Sequence, residues 1–228
     1  MPTSAAQLDH LVVMATTLEQ GVAWCEATLG VTPGPGGEHP LMGTHNRLLS
    51  IASERFPSAY LEIIAINSEA NEDQRMARRR WFDLDDEALR ARIKQGGPQL
   101  THFVIRVPNI SRAVQALATQ GIDRGRAIIA SRITAAGLLQ WQISVRDDGQ
   151  RLFDGCLPTL IEWGEVHPTH GMPASSVRLQ ALHIRHPDAP ALQAAYLSLG
   201  FAPTTIEAAP ARLSATLQTP LGTVHLNV

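Results

Sequence analysis

The sequence predicts an α+β fold built from repeated βαβββ modules, which form a curved mixed sheet around a cavity and are followed by a third, degenerate module. Three observations predict it. Leu8-Asp9-His10-Leu11-Val12-Val13 and Leu100-Thr101-His102-Phe103-Val104-Ile105 open two stretches of similar order. Each continues into helical spacing that stops at a glycine, Gly30 or Gly121. Each then closes on an apolar strand that carries a glutamate, in Tyr60-Leu61-Glu62-Ile63-Ile64 and Leu160-Ile161-Glu162-Trp163.

In the first module, the apolar and β-branched run from Leu8 to Met14 suits a strand, and Thr17 suits the N-cap of a helix. Leu18, Val22, Cys25 and Leu29 fall at helical spacing, and Gly30 supplies a left-handed stop. Strands follow around Thr32–Pro35, Asn46–Ala52 and Ala59–Ile66, separated by turn residues. The second module runs from the strand Leu100–Val107 to a helix capped by Asn109. Its inward positions Ile110, Val114 and Leu117 repeat Leu18, Val22 and Cys25 at the offset of 92 residues that carries His10 onto His102. Strands near Ala127–Ile133, Leu138–Val145 and Pro158–Trp163 complete it. A fainter third copy reads as strand Leu179–His186, a helix capped by Asp188 and stopped at Gly200, and strands near Thr204–Ala208, Arg212–Thr219 and Thr223–Val228. Its register puts Ala181 at the histidine place and His225 at the glutamate place. The expected division is 1–68 first module, 69–99 a charged helical insertion, 100–164 second module, 165–176 linker and 177–228 third module.

At 228 residues, 44% hydrophobic and a net charge of −2, the chain has enough apolar side chains for one sizeable core or two small ones. No apolar run reaches the roughly 18 residues a membrane span needs, and Met1-Pro2-Thr3-Ser4 does not read as a secretion signal, so a cytoplasmic address is expected. The densest basic run, Arg75 to Arg80, is flanked by Glu72, Asp73, Asp83, Asp85 and Asp86, which argues against a nucleic-acid partner. Cys25 and Cys156 have no metal spacing and read as reduced thiols.

Strand alternation places His10 on one face with Leu8 and Val12, and Glu62 on one face with Tyr60 and Ile64. A carboxylate among apolar neighbours needs a cation or a proton, because burying it bare costs several kcal/mol. Glu62 could meet that need with Arg47 or Arg55. If the two modules curve around a pseudo-twofold axis, His10, Glu62, His102 and Glu162 supply two nitrogens and two oxygens to one metal, with positions open for substrate. Such a site polarises a carbonyl or enediolate oxygen while Glu62 or Glu162 moves a proton.

These residues resemble the vicinal oxygen chelate superfamily, and the likeness extends over nearly the whole chain. More narrowly, Leu8 to Val13, the segment Gly36-Gly37-Glu38-His39-Pro40-Leu41-Met42-Gly43-Thr44-His45-Asn46, and Tyr60 to Ile64 are similar to the glyoxalase-like domain family. The resemblance implies a divalent transition metal (Ni, Co, Zn, Mn or Fe) on His10, Glu62, His102 and Glu162. It also implies lyase or isomerase chemistry on a small molecule with adjacent oxygens. Two alternatives stand beside it: a non-catalytic small-molecule binder of the bleomycin-resistance type, in which Tyr60, Trp141 and Trp163 would matter most, and an Fe(II) extradiol-type dioxygenase with His45 as a third ligand.

His39, Thr44, His45 and Asn46 follow a Gly/Pro-rich turn near the expected cavity mouth and are candidate substrate contacts. Arg132 is a candidate for holding an anionic group and Trp141 for walling the cavity. His167 and His170 are expected to be solvent-exposed in the linker. The unpaired third module leaves an open sheet edge or face that could cap the first pair of modules or associate with another chain as a homodimer.

Overall fold

The computed structural model describes residues 6–134 and 137–227. Met1 to Ser4 and Val228, on which the expected absence of a leader and the end of the last strand fall, lie outside them.

The first module is β1 (Gln7–Met14), α1 (Leu18–Leu29), β2 (Glu38–His39), β3 (Thr44–Ser50) and β4 (Tyr60–Ile66). The Thr17 side chain caps α1, and Gly30 ends it at φ 71°. The expected strand at Thr32–Pro35 is reduced to a single bridge between Gly34 and Leu48, and the strand itself forms later, at Glu38–His39. Prolines at 33 and 35 lack the N–H that a ladder requires. The second module is β5 (Gln99–Arg106), α3 (Ile110–Ala118), β6 (Arg126–Thr134), β7 (Gly137–Val145) and β8 (Thr159–Trp163).

Together they form one eight-stranded sheet in the order β2-β3-β4-β1-β5-β8-β7-β6. The two halves run in mirrored order from a central antiparallel pair, β1 against β5, which is the pseudo-twofold arrangement the repeat implies. The outer face packs against α1, α3 and the third unit through Leu8, Leu11, Val13, Leu61, Ile63, Phe103 and Leu160. Val12, Met14, Ile64, Val104, Trp141 and Ile161 belong to a second core on the concave face.

The insertion fills part of that concavity. Only Glu87–Gly96 (α2) is α-helical within it, and the preceding Trp81, Phe82 and Leu84 are buried in the second core. Phe82 and Asp83 adopt left-handed φ values of 59° and 57°, and Asp83 is fastened to Arg151 Nε at 2.8 Å.

The third unit keeps the expected element order: β9 (Arg178–Arg185), α4 (Ala189–Leu199), β10 (Thr205–Glu207), β11 (Arg212–Thr219) and β12 (Gly222–Asn227). Its pairing differs from a βαβββ module. β9 lies between β10 and β11, and β12 is at the edge rather than beside β9. His225 therefore pairs with Thr216 of β11 and not with the first strand of its own unit.

Helix α1 crosses the sheet at Gly21, where an added Cβ would stand 2.3 Å from the Cγ2 of buried Ile63. Alanine gains about 1 kcal/mol of helix propensity over glycine, whereas overpacking a filled core costs about 1–3 kcal/mol. The clash is with a branched side chain that has nowhere to turn. Gly21→Ala is therefore expected to lower the urea midpoint, the reverse of its effect in an exposed helix.

Candidate active site

The site starts from an irregularity in β1. Leu8 and Leu11 face the outer core, while the register to β5 shifts between Leu8 and His10. Asp9 is the extra residue of this bulge, so Asp9 and His10 both turn to the concave side. The expected face-sharing of Leu8 with His10 is thereby corrected, because alternation stops at a bulge.

The Asp9 carboxylate is fully buried. His10 Nδ1–H donates to its Oδ1 at 2.7 Å. Trp163 Nε1–H, at 2.9 Å, and His167 Nε2–H, at 3.0 Å, donate to its Oδ2. His167 was expected in solvent but is 7% exposed and holds the linker against the sheet. Its Nδ1 accepts from the Thr169 hydroxyl at 2.7 Å, which fixes the tautomer that serves Asp9.

His10 stacks on Tyr60, with ring centroids 4.7 Å apart, and its Nε2 points at Glu62 Oε2, 3.4 Å away. Asn46 Nδ2 donates to Glu62 Oε1 at 2.7 Å. Asn46 also lies against His39 Nε2 at 3.4 Å, and His39 Nδ1–H donates to the Thr44 hydroxyl at 3.0 Å.

These contacts set the charges. Burial alone would neutralise His10, but the hydrogen bonds and charges of Asp9 and Glu62 outweigh it and raise its pKa to about 9. Burial would raise Glu62 and Asp9 as well. His10 pulls both below the usual carboxylate range, helped by His39 and Asn46 at Glu62 and by His167 at Asp9. Near neutral pH the pair is an imidazolium facing a carboxylate. His39 lacks such a bonded partner, and burial lowers it to about 4.

His10, Glu62, His39, Asn46, Arg132 and Trp141 all line one inner pocket of about 30 Å³, walled also by Tyr60, Trp81 and Trp163. His39 and Thr44 also border a much larger groove of about 940 Å³ between the first module and α2. His45 faces that groove with Glu19 and Glu38, away from Glu62.

The other two predicted ligands lie elsewhere. Glu162 sits on the helix side of β8 and accepts the Ile110 N–H at 2.7 Å, where the positive end of α3 favours a carboxylate. The strand register pairs Val12 with Glu62 and Val104, the counterpart of Val12, with Thr159. Thr159 is therefore the residue at the glutamate place. His102 occupies its repeat position, but its Nδ1–H donates to Gly155 O at 3.1 Å and its Nε2 accepts from the Thr159 hydroxyl at 3.0 Å. Burial, together with the charges of Arg124 and Arg151, keeps it neutral. Phe82 closes the space beside its ring, with centroids 5.3 Å apart.

The chain matches the glyoxalase-like domain over residues 8–200. It belongs to the glyoxalase-like domain family. That places it in the vicinal oxygen chelate superfamily, in which divalent metals are common. Among solved structures, a hypothetical protein from Staphylococcus aureus superposes with a TM-score of 0.54 at 14% identity, covering 97% of this chain and 85% of that one. Methylmalonyl-CoA epimerases are more distant. The Mycobacterium tuberculosis protein gives a TM-score of 0.39 at 13% identity, covering 74% of this chain and 92% of its own. A Streptomyces coelicolor enzyme in complex with 2-nitronate-propionyl-CoA gives 0.44 at 15% identity, covering 72% and 99%. No curated protein is significantly similar to the chain.

The metal expected of such a glyoxalase-like protein does not fit this donor set. A catalytic ion takes three protein ligands and an open position. Here His10 and Glu62 face each other, His102 has both nitrogens engaged, and Glu162 is on the opposite face of the sheet. Among the described residues, no three His, Cys, Asp or Glu side chains converge to hold an ion.

The charges predict how stability depends on pH in metal-free protein. His10 binds its proton more tightly folded than unfolded, so its contribution is complete below pH 6.5 and is lost as pH rises through about 9. Asp9 and Glu62 are depressed and His39 is lowered to about 4, so their contributions are lost on acidification. The urea midpoint should peak near neutrality. His10→Asn should remove most of the alkaline decline, measured between pH 6.5 and 9.

Proposed function

We propose that this protein is a small-molecule lyase or isomerase that moves a proton at a carbon next to a carbonyl group. Glu62 is the base and His10 the partner acid. The observation that carries this reading is the buried, oppositely charged His10–Glu62 pair at the wall of an aromatic pocket.

Glu62 Oε2 takes the proton from carbon, and the electrons of the broken C–H bond move into the carbonyl, whose oxygen becomes an enolate. His10 Nε2–H, which faces the same space, donates to that oxygen as charge develops. With a 2-hydroxy carbonyl substrate, Glu62 returning the proton to the neighbouring carbon of the enediol gives isomerisation; expelling a group from the carbon next to the deprotonated one gives elimination. Asp9 holds His10 with Nδ1 protonated and aims Nε2, and Asn46 fixes the rotamer of Glu62 through Oε1. The tryptophans and Tyr60 exclude water, which strengthens each of these interactions. The dioxygenase reading needs a third ligand beside His10 and Glu62, and among the described residues none joins them, since His45 faces the outer groove.

A second reading, a binder without catalysis, is favoured by the aromatic walls of the pocket. One experiment separates the two. Small 2-oxo and 2-hydroxy carbonyl compounds, including 2-oxoaldehydes, are incubated with chelator-treated protein in D2O, and loss of the α-proton signal is followed by NMR. Glu62-dependent exchange is expected, slowed about 10²–10⁴-fold in Glu62→Gln. Ligand binding without exchange, or exchange indifferent to Glu62→Gln, would overturn the enzyme reading.

A further inference from the structure

Two residues lining the inner pocket carry buried hydrogen-bond donors that no described residue satisfies. Arg132 and Trp81 line the pocket, and Arg132 Nε and Nη1 and Trp81 Nε1 are buried without a partner among the described residues. Each buried donor left unmade costs about 1–3 kcal/mol, and a charged one more. Three such donors around one small pocket call for an acceptor from outside the chain. The pocket's carboxylate does not supply it, because Glu62 bonds His10 and Asn46 and makes no hydrogen bond to these three nitrogens.

The position of Arg132 is built in from the other module. Its guanidinium lies over Gly37, where an added Cβ would stand 1.9 Å from Nη1. The Gly37 N–H donates to Asn46 Oδ1 at 2.8 Å, while the Nδ2 of the same asparagine donates to Glu62 Oε1 at 2.7 Å. A single amide therefore braces the turn beneath Arg132 with one end and the base with the other. Gly36 is constrained likewise, since a Cβ there would come within 2.1 Å of the Asn46 carbonyl oxygen.

We infer that Arg132 and Trp81 form an anion subsite and that the substrate is a small organic monocarboxylate, with its acidic C–H carbon between this subsite and Glu62. The assignment rests on the proton-transfer reading above for the role of Glu62, but not for the binding itself. A single guanidinium and a neutral indole N–H match one negative charge rather than two. A pocket of about 30 Å³ has room for about two waters, the space of one carboxylate group. The remainder of the substrate extends past His39 toward the groove.

The test is titration of tryptophan fluorescence in the full chain with acetate, lactate and pyruvate, and with inorganic phosphate as the comparison anion. Saturable quenching by the carboxylates is expected, weakened tenfold or more in Arg132→Gln. Gly37→Ala, which displaces the guanidinium without removing it, should weaken binding in the same direction. Glu62→Gln should still bind carboxylate while losing exchange, so failure of the proton-transfer reading would leave this result standing. Equal affinity in wild type and Arg132→Gln at unchanged Tm, phosphate binding as tightly as carboxylate, or no saturable binding of any carboxylate would overturn the inference.

Discussion

A buried carboxylate governs the organisation of this molecule. Asp9 is wholly removed from water, and a bare charge there would cost several kcal/mol. Three donors reach it, from its own strand, from the end of β8 and from the linker beyond the second module. The first module, the second module and the segment leading to the third unit thus meet on one side chain. The same carboxylate keeps His10 charged, and His10 in turn keeps Glu62 ionised, so the electrostatics of the pocket pass from one buried anion to another through a single imidazolium.

The repeat explains why there is one such site rather than two. Both central strands carry a bulge immediately before the histidine, at Asp9 and at Thr101. The backbone is symmetric there, but the side chains are not. Thr101 gives His102 no carboxylate, Thr159 takes the place of Glu62, and Phe82 from the insertion occupies the space beside the ring. Thr159 is itself held by the buried Arg124, whose Nε donates to Pro158 O at 2.8 Å. The second half has become a packed support, and that support lends β6 and β7 to the first half's pocket through Arg132 and Trp141.

Much of this was legible in the sequence, and the failures have local causes. The modules, the helix caps at Thr17, Asn109 and Asp188, and the His10–Glu62 pairing follow from periodicity and turn chemistry. Glu162 was matched to Glu62 because both sit in apolar strands, yet loops of different length shift the last strand, and only the register identifies Thr159 as the counterpart. Asp9 escaped because a bulge overrides alternation, although an aspartate directly before the repeated histidine was the available signal. His167 looked like linker because nothing in a Pro/His-rich stretch reveals a distant buried acceptor. Trp81 lay in a segment dominated by charge, where its burial depends on the concavity of another part of the chain. The third unit kept its element order but not its pairing, since order along the chain does not determine which strand lies next to β9.

The charged cluster is poorly explained by stability. Replacing buried ion pairs with apolar side chains of similar volume is often neutral or stabilising, whereas removing one partner is costly. A sheet whose neighbouring concave positions are Val12, Ile64, Val104 and Ile161 could have continued in the same character at positions 10 and 62. Instead it carries a cation and an anion that neutralise each other only while both are held in place. The half of the molecule without the carboxylates shows that the fold does not need them, because His102 and Thr159 fill the equivalent positions by bonding each other, the Gly155 carbonyl and the Arg124 guanidinium. What distinguishes the first half is an imidazolium and a carboxylate kept ionised in a buried space. The proposed proton transfer accounts for the cost of holding that arrangement; folding does not.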